Sequence, residues 1–317
     1  MSQRKPVVLV TGADLAPQAL ALLEDFVVVY AGKTPGEDDI VALCKEHDPV
    51  AIIVRYSKVG AAAMAAAPSL RVISKHGSGT DTIDKVAAAA RGVEVRAAVG
   101  ANAAAVAEHA LALMMACAKS VPALDARMHA GHWDKATHKS LELHGRTVGL
   151  IGLGAIGLRF AQMASAMGMN VIGFDPYAGE TPEFVKKTDL ETLWRDADVI
   201  SLHCPLTADN RNLLDEATLA SCKRGVIVVN TARGGLIDEA ALLAAVRSGR
   251  VLAAGLDSFA VEPMVKGHPF QNEPGFVLSP HIGGVTGDAY VNMGVAAARN
   301  VRSVIGAAES REVATQN

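Results

Sequence analysis

The sequence has few cysteines and a small net charge, and both features narrow the range of possible functions. The four cysteines are Cys44, Cys117, Cys204 and Cys222. No two of them form a C-x-x-C pair, and their spacing is not that of metal ligands. We therefore expect no metal site, and reduced, buried thiols of the kind that cytoplasmic proteins carry. The net charge of −3 gives no electrostatic reason to expect a nucleic acid or an anionic membrane as a partner.

The sequence also lacks a stretch typical of a signal peptide or a membrane span. Residues 1–12 lead directly into a short strand without an apolar signal core. The most apolar predicted helix, residues 103–118, contains Glu108 and His109 near its middle, which favours a core helix. Half of the 317 residues are hydrophobic, so the chain can bury a large core and form about two domains.

The stretch from Thr147 to Asp175 predicts a nucleotide site. An apolar strand is followed by Gly152, Gly154 and Gly157 in G-x-G-x-x-G spacing, then by an amphipathic helix and a second strand that ends at Asp175. Glycines let a pyrophosphate approach the backbone, and the helix N-terminus offers N–H groups with a partial positive charge. An acid at the end of the second strand can bind both ribose hydroxyls, so this order favours a dinucleotide over a ligand-free turn.

Strands and helices alternate along the whole chain, which predicts an α/β fold with parallel sheets. The predicted strands are 7–10, 26–30, 51–54, 70–74, 93–95, 148–151, 171–174, 199–202, 225–230, 252–256 and 276–278. The predicted helices are 14–24, 37–46, 60–66, 87–90, one from 102, 156–167, 238–248, 285–305 and a short one with a capping box of Thr188 and Glu191. The polar residues 121–145 are predicted to be a connection that packs on a partner subunit.

Polar residues follow several predicted strands. His203, Arg233, Asp257 and His281 lie at strand ends of the second half, beside the predicted dinucleotide site. Ligands of parallel sheets bind past the carboxyl ends of the strands, so these four residues indicate a reaction centre. In the first half, Arg55 and the loop 75–79 also follow strands.

Five motifs carry a resemblance over essentially the whole chain. They are G-L-G-A-I-G at 152–157, H-C-P-L-T from 203, N-T-A-R-G-G from 230, G-L-D-S-F-A-V-E-P from 255 and S-P-H-I-G-G from 279. Together they resemble the D-isomer specific 2-hydroxyacid dehydrogenases, a family that includes phosphoglycerate dehydrogenase and hydroxypyruvate and glyoxylate reductases. The resemblance implies two doubly wound parallel-sheet domains. Residues 1–100 and 285–317 would form a flavodoxin-like substrate domain, and 101–284 an inserted Rossmann domain that binds NAD, with the reaction in the cleft between them.

The resemblance also implies roles for single residues in the reduction of a 2-oxo acid at C2. His281 would donate the proton to the substrate oxygen, and Glu262 would orient the His281 ring and favour its protonated form. Arg233 would bind the carboxylate or the carbonyl oxygen of the substrate. The implied cofactor-binding residues are Ser78, Gly152, Gly154, Ala155, Ile156, Gly157, Asp175, His203, Cys204, Pro205, Thr231, Ala232, Arg233, Asp257, His281 and Gly283. The implied substrate-binding residues are Arg55, Lys75, Gly77, Ser78, Gly79, Arg233 and His281, with the backbone N–H groups of 77–79 as a carboxylate anchor.

The identity of the substrate stays open at this stage. Lys75 and His76 replace small or apolar residues of the family, and the family's D-N-I-D is D-T-I-D at 81–84. Arg55 and Lys75 suggest a second polar or anionic group at C3, as in phosphoglycerate or hydroxypyruvate. The alternative is that both are solvated or paired with an acid such as Asp81.

Further expectations concern the choice of cofactor, the oligomeric state and whether the protein is an enzyme. Asp175 followed by Pro176 and Tyr177, without an Arg, predicts NAD(H) over its 2′-phosphorylated form. Family members usually dimerise through the cofactor domain, and the serine-sensing module of some phosphoglycerate dehydrogenases is expected to be absent after Asn317. An NAD(H)-sensing interaction protein, like the C-terminal-binding-protein corepressors, is the alternative class. It is disfavoured because the three catalytic residues remain.

Overall fold

The computed structural model describes the backbone of residues 5–315 and the side chains of residues 5–306. Within these residues no single helix is long and apolar enough to cross a membrane, and only one bent pair, Ala103–Lys119 with Val121–His129, meets the length and composition test jointly. The described chain divides into two compact units: residues up to Asn102 together with those from Val285 onward, and Ala103–Gly284.

The first unit is a five-stranded parallel sheet in the order β2-β1-β3-β4-β5, the order of the flavodoxin-like fold. Its strands are β1 (Val7–Val10), β2 (Val27–Tyr30), β3 (Ala51–Val54), β4 (Val72–Lys75) and β5 (Glu94–Ala97). Its helices are α1 (Pro17–Ala21), α2 (Glu37–His47), α3 (Ala61–Ala66), α4 (Lys85–Ala90) and the C-terminal α11 (Gly287–Thr315).

Both faces of this sheet are covered, which explains its continuous apolar strands. Val8 and Val10 point to the side of α1 and α11, whereas Leu9 between them packs against α2 and α3. The side chain of Asn300 on α11 donates to Ser74 Oγ and to the Ala97 carbonyl, each at 3.2 Å. The C-terminal helix is therefore part of the first unit, although it is remote in sequence.

The second unit is a seven-stranded parallel sheet in the order β12-β11-β10-β9-β6-β7-β8. Its strands are β6 (Thr147–Ile151), β7 (Asn170–Phe174), β8 (Val185–Lys187), β9 (Val199–Leu202), β10 (Val226–Asn230), β11 (Val251–Leu256) and β12 (Phe276–Leu278). Its helices are α5 (Ala103–Lys119), α6 (Val121–His129), α7 (Ala155–Ala166), α8 (Leu190–Asp196), α9 (Glu216–Ser221) and α10 (Glu239–Arg247). The strand order reverses between β6 and β9, and ligands of such sheets bind past the carboxyl ends of the strands at this point.

The prediction of two parallel α/β sheets is confirmed, and every predicted strand is present within a few residues of its expected bounds. Two elements, β8 and α9, were not predicted, and three predicted details were wrong. The first helix begins at Pro17 rather than near residue 14, because proline occupies its first turn and disfavours helix in the residue before it. Asp189, not Thr188, caps α8 by accepting from the Thr192 N–H at 2.7 Å. Part of the expected connection 121–145 forms α6.

Candidate active site

The three glycines after β6 are needed for two different reasons. A Cβ at Gly152 would lie 2.8 Å from the Cys204 nitrogen, and one at Gly157 would lie 2.1 Å from the Gly152 carbonyl oxygen. A Cβ at Gly154 would meet no described protein atom within 4 Å. The first and third glycines therefore serve the packing of the protein itself. The second leaves open space at the N-terminus of α7.

This space fits the pyrophosphate of a dinucleotide. Gly154 is the N-cap of α7, and the first N–H groups of an α-helix have no acceptor within the helix. The N–H groups of Ala155 and Ile156 belong to this first turn, where a partial positive charge also favours an anion. The residues present therefore match the chemistry of the predicted cofactor.

Asp175 follows β7 and faces the same turn. Its Oδ2 accepts from the Leu153 N–H at 2.9 Å, and its Oδ1 accepts from the Tyr177 N–H at 2.8 Å. These two bonds fix the carboxylate beside the glycine turn. Each carboxylate oxygen has a second acceptor position, so Asp175 can still accept from two ribose hydroxyls.

His203 packs beneath the glycine turn. Its ring lies 5.3 Å from the ring of Phe160, and its Nε2 lies 2.9 Å from Ser201 Oγ. Burial lowers the pKa of His203 to about 4, so the ring is neutral and unsuited to acid catalysis near neutral pH. Its Nδ1 and the Thr231 hydroxyl are buried without a hydrogen-bond partner among the described residues.

Cys204 and Pro205 continue this wall of the candidate cofactor site. The Sγ atom of Cys204 lies 3.9 Å from Asn210 Nδ2, which also donates to the Pro205 carbonyl at 2.8 Å. Cys204 is partly exposed, unlike Cys44, Cys117 and Cys222, which are buried as predicted. Burial raises the pKa of Cys204 to about 11, so its thiol is protonated and unreactive near neutral pH.

Glu262 and His281 form a hydrogen-bonded pair. Nδ1 of His281 lies 2.7 Å from Oε2 of Glu262, whose Oε1 accepts from the Phe259 N–H at 2.9 Å. The His281 side chain is 47% exposed. Because Nδ1 is used by the carboxylate, Nε2 is the ring nitrogen that is left for a ligand.

Arg233 lies in a tightly bonded loop after β10. The amide of Asn230 accepts from the Ala232 N–H and donates to the Arg233 carbonyl, each at 2.9 Å. A Cβ at Gly234 would lie 1.9 Å from the Phe259 carbonyl carbon, so this loop is in contact with the loop that carries Glu262. The packing brings the predicted catalytic loops together.

Asp257 is almost fully buried after β11. Its carboxylate accepts from the Ser279 hydroxyl and from the backbone N–H groups of Ile282 and Gly283. His109 on α5 reaches the same Ser279 hydroxyl. The sequence predicted Asp257 as a cofactor contact but gave no role to Ser279 or His109. The only signal for His109 was a polar residue within an apolar helix.

In the first unit, Arg55 lies in a cluster of polar and aromatic residues. Its guanidinium donates to the Asp14 carboxylate and lies 5.0 Å from the Tyr290 ring. The Tyr290 hydroxyl donates to Asp14 at 2.9 Å, and this bond and the Arg55 charge lower the pKa of Asp14. Arg55 is therefore paired with Asp14, which lies 41 positions before it in the sequence. Lys75 Nζ donates to the Arg55 carbonyl.

The loop 77–79 begins at a position that requires glycine. Gly77 has φ +145°, and a Cβ there would lie 3.8 Å from Met293 Sδ. Its carbonyl accepts from the Ala98 N–H at 2.9 Å, and Ser78 Oγ lies 3.2 Å from Asn102 Oδ1. The loop is therefore held by its own unit in a conformation that only glycine adopts readily.

Comparison with known proteins places these features in a family. Residues 111–283 match the model of the D-isomer specific 2-hydroxyacid dehydrogenase NAD binding domain. Hydroxypyruvate reductase of Thermotoga maritima is 41% identical over 261 residues, which cover 82% of this chain and 85% of the relative. D-3-phosphoglycerate dehydrogenase of Mycobacterium tuberculosis is 41% identical over 301 residues, which cover 94% of this chain and 56% of the relative. The chain thus spans about half the length of this second relative.

The solved structures include close matches to the whole chain. The structure of a glyoxylate reductase from Paecilomyes thermophila has a TM-score of 0.86 and 30% identity, and the match covers 96% of each chain. The structure of D-2-hydroxyisocaproate dehydrogenase has a TM-score of 0.80 and 26% identity over 93% of this chain and 95% of that one. Both sheets of the present chain therefore recur in enzymes that are named for 2-oxo or 2-hydroxy acids.

Proposed function

The chain belongs to the D-isomer specific 2-hydroxyacid dehydrogenase family, and from this membership we propose that it is an NAD-dependent reductase of 2-oxo acids. The observation that carries the proposal is the 2.7 Å contact of Glu262 with His281 in a chain of this family. An NAD(H)-sensing interaction protein is not favoured, because Arg233, Glu262 and His281 are all present.

His281 is the proton donor in the proposed reduction. In the proposed reaction Nε2 donates a proton to the substrate carbonyl oxygen, and the carboxylate of Glu262 holds the ring through Nδ1. The reverse reaction uses the same nitrogen as a base.

Arg233 and the loop 77–79 bind the acid group of the substrate in this proposal. The guanidinium of Arg233 can pair with a carboxylate or stabilise negative charge that develops on the carbonyl oxygen. The backbone N–H groups of Gly77, Ser78 and Gly79 are further donors for the carboxylate.

The cofactor is held by the glycine turn and by Asp175. The N–H groups of Ala155 and Ile156 bind the pyrophosphate, and Asp175 binds the adenine ribose. NAD(H), when bound, supplies or accepts the hydride at nicotinamide C4. The neutral ring of His203 supports the turn but takes no part in proton transfer.

For the substrate we favour a 2-oxo acid with an uncharged polar group at C3, of the hydroxypyruvate type. The charge of Arg55 is already offset by Asp14, so the cluster favours a hydroxyl over a phosphate at this end. The relative from Thermotoga maritima, which matches over most of its own length, is a hydroxypyruvate reductase. A phosphorylated acid such as that of phosphoglycerate dehydrogenase is the second candidate.

We also propose a homodimer that forms through the second unit. On α6 and the turn that follows it, three apolar side chains are largely exposed: Val121 at 57%, Met128 at 52% and Trp133 at 74%. Exposed apolar groups in one region are typical of a protein interface. Sedimentation of the full chain and of its Met128→Lys variant tests the proposed homodimer.

We also propose a cytoplasmic location, which the free thiols of the four cysteines support.

A spectroscopic screen tests the proposed reaction. The full chain is mixed with NADH and with glyoxylate, pyruvate, hydroxypyruvate or phosphohydroxypyruvate, and the loss of NADH absorbance is followed. We expect turnover that is fastest with hydroxypyruvate and nearly abolished by His281→Ala, while NADH still binds. Absence of turnover with every 2-oxo acid, or a near wild-type rate of His281→Ala, would contradict the proposal.

A further inference from the structure

A buried hydrogen-bond network lies next to the turn that carries His281. It consists of Asp257, Ser279 and His109, which we call the Asp257 network. Ser279 Oγ donates to Asp257 Oδ1 at 2.6 Å, and His109 Nε2 lies 2.8 Å from the same Ser279 oxygen. Asp257 is 1% exposed, so these contacts replace its hydration.

The direction of the hydrogen bonds in this network follows from the number of available protons. A serine hydroxyl has one proton, and Ser279 gives it to Asp257. Toward His109 the Ser279 oxygen is therefore an acceptor, which requires the proton of His109 to be on Nε2. This N–H also points toward the carboxylate, at 3.4 Å from Asp257 Oδ1. The ring nitrogen of His109 thus restricts the rotation of the Ser279 hydroxyl.

The carboxylate of Asp257 in turn holds the backbone directly after His281, and it accepts from the Ser279 side chain before it. Oδ1 accepts from the Ile282 N–H at 2.9 Å, and Oδ2 accepts from the Gly283 N–H at 2.8 Å. His281 itself has φ +54°, a left-handed conformation that costs a residue other than glycine about 1 kcal/mol. Bonds from neighbouring residues must hold such a turn in place. Three of them come from this single buried carboxylate.

The ring of His109 also packs on the turn itself. A Cβ at Gly283 would lie 2.9 Å from Asp257 Oδ2 and 3.4 Å from Cδ2 of His109. The turn after His281 therefore fits tightly against both members of the network. A change at His109 removes a hydrogen bond and also alters a packed contact of this turn.

We propose that His109 is a positioning residue for the reaction, acting through Ser279 and Asp257 on the turn that aims His281 at Glu262. The inference rests on the proposed function, but it adds a residue that does not touch the reacting atoms. It gives a role to the polar side chain of His109 within the largely apolar helix α5.

Substitutions that keep the size of the His109 side chain but change its ability to donate a hydrogen bond test the positioning role. His109→Phe keeps a ring and removes the donor, and we expect kcat for the best 2-oxo acid to fall about 10–100-fold, with KM for NADH within about 2-fold. His109→Gln, whose side-chain amide can donate to Ser279, should recover most of this loss. His47→Phe, on the remote helix α2, is the matched control and should leave kcat unchanged. Unchanged kcat in His109→Phe would contradict the proposal.

Two further measurements distinguish positioning from a general loss of stability. Ser279→Ala should lower kcat as much as His109→Phe, and the double variant should be no slower than either single variant. Multiplied losses would show that the residues act independently. Backbone hydrogen exchange of Ile282 and Gly283 should be faster in His109→Phe, while strand β6 is unchanged.

The exchange measurement needs no substrate. If the wild-type chain reduces no 2-oxo acid, the proposed function fails, whereas faster exchange at Ile282 and Gly283 still supports the link from His109 to the turn. Normal exchange in His109→Phe refutes that link even in an active enzyme.

Discussion

Glu262 holds His281 through a single short contact, 2.7 Å between Oε2 and Nδ1, while its other oxygen is fixed by the Phe259 N–H. The carboxylate therefore has little freedom to rotate, and the imidazole ring has one preferred orientation. This geometry supports the proposed role of Glu262, which is to orient the ring.

Glu262→Ala and Glu262→Gln test the role of this contact. Glu262→Ala removes the acceptor for Nδ1–H, so we expect kcat for the best 2-oxo acid to fall about 10–100-fold. Glu262→Gln leaves one acceptor oxygen for two donors, Nδ1–H and the Phe259 N–H, and should therefore recover only part of this loss. Steady-state kinetics of both variants measure this. A wild-type kcat in Glu262→Ala would show that the ring needs no acceptor at Nδ1.

The glycine turn allows a comparison of two similar changes. Gly154→Ala adds a methyl group in open space, so we expect only the small loss of thermal stability that Ala causes at an N-cap. We also expect at least about a 10-fold rise in KM for NADH, since the methyl group would occupy the expected pyrophosphate space. Gly157→Ala is the matched variant, because its methyl group would collide with the Gly152 carbonyl oxygen at 2.1 Å. It should lower the melting temperature. Unaltered NADH binding by Gly154→Ala would show that the pyrophosphate lies elsewhere.

Cofactor choice should follow from Asp175. Its carboxylate, fixed by the N–H groups of Leu153 and Tyr177, would repel a 2′-phosphate. We expect kcat/KM for NADH to exceed that for NADPH by about 100-fold, the size of a charge effect of roughly 3 kcal/mol. Asp175→Ser should reduce this ratio mainly by lowering the value for NADH. Equal values in the wild type would contradict the assigned role.

His76 should make stability depend on pH. Burial, with the charges of Arg55 and Lys75, lowers the pKa of His76 to about 4. Between about pH 6.5 and pH 4, His76 is protonated in the unfolded chain but not in the folded chain, so a lower pH favours unfolding. We expect a loss of about 2 kcal/mol between pH 7 and pH 5 from this residue. His76→Leu should remove that part of the loss in urea unfolding, and an equal loss in both proteins would refute it.

Most strands were predictable because they are short apolar runs. All of Val226–Asn230 is buried, as expected for a central parallel strand. The missed elements lack this signal. Val185–Lys187 is three residues long with two exposed lysines, and Val121–His129 has no buried residue. Its apolar residues could therefore not indicate a helix that packs on a core.

The candidate site was predictable only where residues lie in motifs. The glycine turn and Asp175 follow from spacing, whereas the pair of Glu262 and His281 was available only through the family resemblance. Contacts between distant parts of the chain could not be derived. Asp14 and Tyr290 meet at 2.9 Å although 276 positions separate them, and no local pattern connects them. The environment of Arg55 therefore had to come from the structure.

The cluster of Arg55 with Asp14 and Tyr290 provides the test of substrate class. Removal of a charged hydrogen bond to a polar C3 group typically costs ~1.5–3 kcal/mol. Arg55→Ala should raise KM for hydroxypyruvate correspondingly and leave KM for glyoxylate, which has no C3 atom, almost unchanged. Asp14→Asn leaves the Arg55 charge without its counter-ion. It should therefore improve binding of phosphohydroxypyruvate more than binding of hydroxypyruvate.

The structural role of Arg55 must be separated from this effect. Its side chain is only 12% exposed and packs against the Gly12 backbone, so the melting temperature of each variant is measured beside KM. Tyr290→Phe is the matched control, because it removes one hydrogen bond to Asp14 and keeps the ring beside the guanidinium. We expect it to change KM for hydroxypyruvate less than Arg55→Ala does. If Arg55→Ala raises KM equally for glyoxylate and hydroxypyruvate, the residue serves the fold of the first unit, because a contact with C3 cannot affect a substrate that lacks this atom.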